Sequence, residues 1–188
     1  MLVAGIAVRP MTRHIGLGLM ATRRFDPGEL IWREAGIPRG RERTFAEVMA
    51  IGEPGLTIYK HFMYQTGPDS FESLPQFDVL PVEQWAAARP EDPTMYMNHS
   101  CDPTVWYPNP ECFEFVIRRV VQPGEWITYD YAMTETVDDQ PWTCRCGSPL
   151  CRGRVLHTDW QLPSLQQAYF GHVARHVQAL MERAAQAA

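Results

Sequence analysis

The sequence has almost no lysine: of its 17 basic residues only Lys60 is one, and the others are arginines. Positive charge is not in surplus either, because 22 acidic residues leave a formal net charge of -5. A basic stripe is the usual footprint of nucleic-acid binding, so no direct nucleic-acid contact is expected. No apolar run approaches the roughly 18 to 20 residues of a membrane-spanning helix. The apolar stretch from Met1 to Met11 lacks a preceding basic region and a clear cleavage site, and it reads as a strand rather than a signal peptide. The expectation is a soluble intracellular protein, in cytoplasm or nucleus, with no membrane partner. Repeats and low-complexity tracts are also missing. An even cysteine count is missing too: five cysteines exclude a fully paired disulfide framework within one chain. The lysine deficit reads first as the codon bias of a GC-rich genome.

What is present suffices for one compact domain, with 188 residues of which 45% are hydrophobic. Leu2 to Val8 reads as a strand, followed by the glycine-punctuated strand Gly16 to Ala21. The turn signal Asp26-Pro27-Gly28 precedes a strand from Glu29 to Glu34. Residues 38–93 are irregular and rich in proline, glycine and aromatics, with helical patches over Thr44 to Ile51 and Val82 to Ala88. Strand character returns from Cys112 to Val121, where Phe113, Phe115 and Ile117 alternate with Glu114, Val116 and Arg118, and again over Glu125 to Tyr131. Near the C-terminus, Leu165, Tyr169, Val173, Val177, Leu180 and Ala184 recur at helical spacing. Ser164 and Gln167 read as a capping box for that helix, which Gly171 weakens by about 1 kcal/mol. Many short strands and few helices give a β-rich α+β class.

Cys144-x-Cys146-x4-Cys151 places three thiols within eight residues. Neighbouring C-x-C thiols are poorly placed to pair with each other but fit one tetrahedral ion. Structural zinc takes four ligands, so the cluster is one short. Cys101, Cys112 and His157 are the candidates for the fourth.

Four segments in order resemble the SET-domain family of S-adenosylmethionine-dependent protein lysine methyltransferases. Gly16-Leu17-Gly18-Leu19-Met20-Ala21 resembles the family's G-x-G strand, and Met97-Asn98-His99-Ser100-Cys101-Asp102-Pro103 its N-H-S-C-x-P motif. Gly124-Glu125-Trp126-Ile127-Thr128-Tyr129-Asp130-Tyr131 is similar to G-E-E-L-T-[FY]-D-Y. The run from Cys144 to Gly153 looks like the post-SET zinc motif. The resemblance implies a fold of several small β-sheets with a knot-like C-terminal crossing, a post-SET zinc knuckle and a C-terminal helix. It implies a SET domain over residues 1–132 with a variable insert at about 38–94, a zinc-binding segment over 133–157 and a helical extension over 158–188. The family's fourth zinc ligand is the cysteine of N-H-S-C, here Cys101. One structural zinc held by Cys101, Cys144, Cys146 and Cys151 follows, with Cys112 left as an ordinary thiol. Thr104 stands where the family commonly has asparagine, and altered local hydrogen bonding is expected there.

The same resemblance implies transfer of a methyl group from S-adenosylmethionine to a lysine amine. Tyr131 is the expected principal catalytic residue. Tyr129, two residues earlier on the same strand face, is expected to influence how many methyl groups are added, and its hydroxyl implies monomethylation. Implied cofactor contacts are Gly16, Leu17, Gly18 and Leu19 through the backbone, Asn98 through its amide, His99 through its backbone, and Tyr131. Trp142 or Leu156 would supply an apolar lid, and Tyr64 is a further candidate. The implied partner is a basic, lysine-containing peptide or protein, histone-like tails included. Glu72, Asp78, Glu91, Asp92, Glu135, Asp138 and Asp139 are candidates to line its groove. Two rival readings are an enzyme acting on a small amine or another acceptor, and a non-catalytic peptide-binding module.

Overall fold

The computed structural model describes residues 1–12, 15–33, 38–111, 113–137 and 141–187. Its first strand, β1, runs Ile6–Thr12, four residues later than the apolar run suggests, because the chain turns through Gly5 at φ +95°. Leu2 makes only an isolated bridge to Trp32. β2 (Gly16–Ala21) returns antiparallel to β1, and β3 (Leu30–Arg33) follows the Pro27-Gly28 turn. The segment from 38 onward holds α1 (Phe45–Met49), α2 (Gly55–Phe62), β4 (Tyr64–Gly67) and β5 (Ser70–Glu72). After it come β6 (Asn98–His99), β7 (Val105–Trp106), β8 (Glu114–Ile117) and β9 (Trp126–Tyr129). The last elements are β10 (Trp142–Thr143), β11 (Arg154–Val155), α3 (Pro163–Tyr169) and α4 (Arg175–Ala187).

Among the described residues four small sheets result: β1-β2-β9-β6, β3-β8-β7, β4-β5 and β10-β11. The late strand β9 enters between β2 and β6, antiparallel to the first and parallel to the second. Leu19, Phe25, Ile31, Val105, Ile117 and Ile127 close a core between the two larger sheets, and each is essentially unexposed. At about 1.5–3 kcal/mol per buried large side chain, this cluster is a principal source of stability.

The segment the sequence shows as irregular has a core of its own, in which Val48, Tyr59, Phe71, Phe77 and Trp85 meet. Thr44 caps α1 in a reciprocal box with Glu47. The helical patch read at Val82 to Ala88 is a 3-10 turn over Val82–Ala87 that seats Trp85 against Phe77, ring centroids 4.6 Å apart. Gly40 is fixed by a close approach: a Cβ there would lie 2.4 Å from the Ser73 carbonyl oxygen.

The C-terminal helix read from periodicity is two helices. Gly171, at φ +81°, stops α3 and turns the chain before α4 begins. Ser164 does not cap, and the box with Gln167 is absent. Leu162 holds the N-cap position, and Pro163 starts the helix with its φ already set. Tyr169, Val173, Val177 and Met181 face Tyr107 and Met133, and the Ala174 N–H donates to the Met133 carbonyl at 2.9 Å. Met181 was not among the periodic positions. Among the described residues no helix is long and apolar enough to cross a membrane.

His176 sits buried in this seam, and its Nε2 donates to the Thr134 carbonyl at 2.7 Å. Burial holds its pKa below the ordinary value of 6.5. The unfolded chain therefore binds more protons just below pH 6.5, and the stability this group contributes is present above that pH and lost as pH falls. Thermal melts should fall between pH 7 and pH 5, with a shallower slope in His176→Gln. Equal slopes would remove His176 as the cause.

Candidate active site and metal centre

Three of the four sequence motifs meet in the β1-β2-β9-β6 sheet. Leu19 pairs with Ile127 and Met20 with Trp126, whereas Asn98 pairs with Thr128 and His99 with Tyr129. The Asn98 amide reaches across, donating to the Leu17 carbonyl at 2.9 Å and the Tyr96 carbonyl at 3.1 Å. Gly18 is needed for this approach, since a Cβ would crowd Asn98 Nδ2 at 3.1 Å and Met11 Sδ at 3.2 Å. Gly16 takes φ +84°, and Leu17 is exposed. Leu19 is fully buried in the core. Thr104 secures the junction: its hydroxyl accepts from the Thr128 N–H at 2.8 Å, and its own N–H donates to the Thr128 carbonyl at 3.0 Å. That is the local hydrogen bonding threonine provides where asparagine is commoner.

β9 ends at Tyr129, so Tyr131 stands on a 3-10 turn over Tyr131–Met133 and not on the strand expected to run through it. Asp130 caps that turn by accepting from the Ala132 N–H at 3.0 Å. The turn still brings the two phenol rings together, centroids 4.9 Å apart. Both line a cavity of about 330 Å³ whose walls include Trp32, Tyr107, Phe113 and Phe115 from the core and Trp142 and Leu156 from beyond it. Lys60, Tyr64, Glu91, Asp92 and Glu135 line it as well. Burial, and then the Glu135 charge, raise the pKa of both Tyr129 and Tyr131. Both are therefore neutral hydroxyls at physiological pH.

The acidic groove candidates divide. Glu72 is buried, accepts from the Tyr64 hydroxyl at 2.8 Å and pairs with Arg39. Asp78 pairs with Arg43 at 2.5 Å. Asp92 accepts from Trp32 Nε1 at 3.0 Å and caps the turn at Pro93 while lining the cavity. Asp138, Asp139 and Cys112 lie outside the described residues.

Cys101, Cys144, Cys146 and Cys151 converge, with all four sulfurs within 4.8 Å of one another. Cys101 Sγ lies 3.8 Å from Cys144 Sγ. A tetrahedron with metal–sulfur bonds near 2.3 Å has edges of about 3.8 Å, so the set fits one zinc-sized ion. Burial pushes Cys101 up to about 11 and Cys144 higher still. Cys146, despite burial, is brought to about 7 by backbone and thiol donors. Such a crowd of sulfurs ionises together only around a cation. His157, the other described candidate, lines the cavity and is not in the cluster.

Arg152, given no role from the sequence, and His99, expected there to offer only its backbone, join this cluster to the tyrosine turn. Arg152 forks onto Asp130 at 2.5 and 2.8 Å and reaches Asp159 at 2.7 Å. His99 contacts Cys101 Sγ through Nε2 at 3.2 Å and accepts the Tyr131 N–H through Nδ1 at 3.2 Å. Burial lowers the His99 pKa to about 4, against the pull of Asp130, so the ring is neutral. Arg152 directly follows a cysteine of the cluster, and that adjacency was the available signal.

Sheet, paired tyrosines and cysteine cluster together define a SET-type site. The SET domain family model matches residues 16–132, and the chain belongs to the SET-domain family. A comparison with curated proteins finds no match. Among solved structures the chain is similar to the crystal structure of KRYPTONITE in complex with mCHG DNA and SAH, at 16% identity and a TM-score of 0.51. The alignment covers 79% of this chain and 28% of that one, and at this identity it speaks to the fold.

Proposed function

We propose that this protein is a lysine N-methyltransferase that uses S-adenosylmethionine, acts on a basic peptide or protein, and favours monomethylation. The observation that carries the reading is the pair Tyr129 and Tyr131, neutral and ring to ring, in an aromatic cavity joined to the metal cluster. The co-crystallised SAH of KRYPTONITE, the demethylated form of that methyl donor, supports the choice of donor. When bound, S-adenosylmethionine supplies an electrophilic methyl group on a sulfonium.

The chain must deliver a neutral amine. A free lysine has a pKa near 10.4, so only about one amine in a thousand is unprotonated near neutral pH, a handicap of about 4 kcal/mol. The walls of Trp32, Phe113 and Phe115 desolvate the amine and favour its neutral form. Glu135 gives the incoming ammonium an opposite charge at the same cavity. Burial keeps the Tyr131 phenol protonated, and its role is to orient the amine lone pair and stabilise the transition state. Gly16, Leu17, Gly18 and Leu19 present main chain to the donor. Asn98, with Nδ2 spent on the Leu17 and Tyr96 carbonyls, keeps Oδ1 as the acceptor of its amide, and His99 offers its backbone. Trp142, with its ring 5.8 Å from Tyr131, and Leu156 form the lid.

Lys60 makes the test easy to read. It is the chain's only lysine and lines the cavity, so self-methylation is confined to Lys60 and the N-terminal amine. With isotopically labelled donor and a lysine peptide, label should appear on the peptide lysine, as mapped by mass spectrometry. A chain that binds the donor but labels no lysine would refute the proposal. Tyr129 sets the product: its hydroxyl holds the amine and leaves a methylated amine little room to turn. Wild type should give mainly monomethyl-lysine and Tyr129→Phe mainly di- and trimethyl-lysine. Trimethyl-lysine from wild type would end that assignment.

A further inference from the structure

We propose that His99 and Arg152 are positioning residues through which occupancy of the four-cysteine site fixes the Tyr131 turn, so that metal and methyl donor bind cooperatively. The inference rests on the methyltransferase reading for the donor, and on geometry alone for the coupling. Two separate paths run from the sulfurs to residues 130 and 131. In the first, the Tyr131 backbone N–H can only donate, so the His99 Nδ1 that receives it carries no proton. The proton is then on Nε2, aimed at Cys101 Sγ at 3.2 Å. That arrangement suits a sulfur that is an ionised metal ligand, since a thiolate is the better acceptor. A ring nitrogen held in this way between a ligand and the next shell is the common means by which metal sites orient their surroundings.

The second path starts on the backbone. The Arg152 N–H donates to Cys101 Sγ at 3.4 Å, which makes Arg152 part of the frame the metal closes. Its guanidinium grips Asp130, a fully buried carboxylate that also caps the Tyr131 turn and accepts from the Tyr169 hydroxyl at 3.3 Å. Removing one partner of such a buried pair leaves an uncompensated charge, so Arg152 cannot drift from its place without disturbing Asp130. Both paths end on the same turn. The reciprocity of binding free energies then requires that a donor analogue bound against Tyr131 tighten the metal by the factor by which the metal tightens the analogue.

The test uses zinc-loaded protein labelled with 15N-tyrosine, the Tyr131 amide being assigned by its loss in Tyr131→Phe. Stepwise zinc removal by a chelator should shift that amide in wild type. SAH should raise zinc affinity by about tenfold or more, the range of outer partners at metal sites. In the double variant His99→Gln with Arg152→Lys, zinc should still bind, but the amide response should be lost and the SAH effect reduced to what the metal-held Trp142 and Leu156 supply. A lysine cannot fork onto Asp130 as arginine does. Asp159→Asn, which loosens only the outer arm of Arg152, should weaken both effects and serves if the double variant does not fold. Arg154→Ala, on the exposed neighbour of the network, should leave both unchanged. A Tyr131 amide indifferent to zinc in wild type, or full coupling in the double variant, overturns the proposal. A protein that does not bind SAH refutes the function proposed above, while the amide still decides the coupling.

Discussion

Tyr131→Phe should lower methyl transfer by about 10²- to 10⁴-fold, the range for removal of one positioned catalytic hydroxyl, while leaving the fold intact. The ring's packing survives the change: Tyr131 lies 4.9 Å from the Tyr129 ring, 5.2 Å from His99 and 5.8 Å from Trp142, and phenylalanine preserves all three contacts. The backbone N–H that bonds His99 is untouched. Only the hydroxyl is lost, and burial had kept that hydroxyl protonated and ready to direct an amine. Initial rates with labelled donor on a lysine peptide give the effect, and SAH titration checks that binding changes by no more than a few fold. A variant as fast as wild type would show that another group orients the amine.

Metal removal should have the second large effect. Among the described residues, β10 and β11, two strands of two residues each, are held by the small buried cluster of Cys101, Cys144 and Val155 and by the packing of Trp142 on His99 and Tyr131. So small a unit cannot bury enough apolar surface to stand without a metal. Structural zinc contributes about 10–16 kcal/mol of apparent binding energy in small zinc folds. Chelation, or Cys144→Ser, should therefore melt the segment around Cys144 to Val155 and release Trp142 and Leu156 from the cavity. SAH affinity should fall at least tenfold, and the thermal transition should move down. Metal analysis should find about one zinc per folded chain. A metal-free protein with an unchanged melt and full SAH affinity would remove the structural role.

Each kind of signal had its own reach. Cysteine spacing reported the candidate metal site because ligands for one ion must lie close together, and three of the four cysteines do so in sequence. Periodicity found the apolar face of the C-terminal region but ran through Gly171, because a repeat of apolar positions is blind to a single residue at positive φ. It also missed the insert's own core. There, Val48 and Tyr59 come from two short helices, Phe71 from a strand and Trp85 from a 3-10 turn, too short and mixed for one repeat to join them. Composition offered seven acidic residues as candidates for a groove. The structure puts Glu72 and Asp78 in ion pairs of the insert and leaves Glu91, Asp92 and Glu135 at the cavity.

The sequence by itself determined the chemistry available: the sulfurs, the two tyrosines, the glycine strand and a single lysine. Those features are written in residue identity and short spacing, where local geometry leaves little choice. The tertiary structure alone decided what each touches. It brings Lys60 to the wall of the cavity that Tyr131 also lines, sets Arg152 on Asp130 across 22 residues, and joins His99 to a turn 32 residues away. Such contacts depend on β9 entering between β2 and β6, a long-range pairing that no local pattern specifies. The scarcity of lysine acquires its meaning there: one amine, placed by the fold on the wall of the cavity proposed to methylate others.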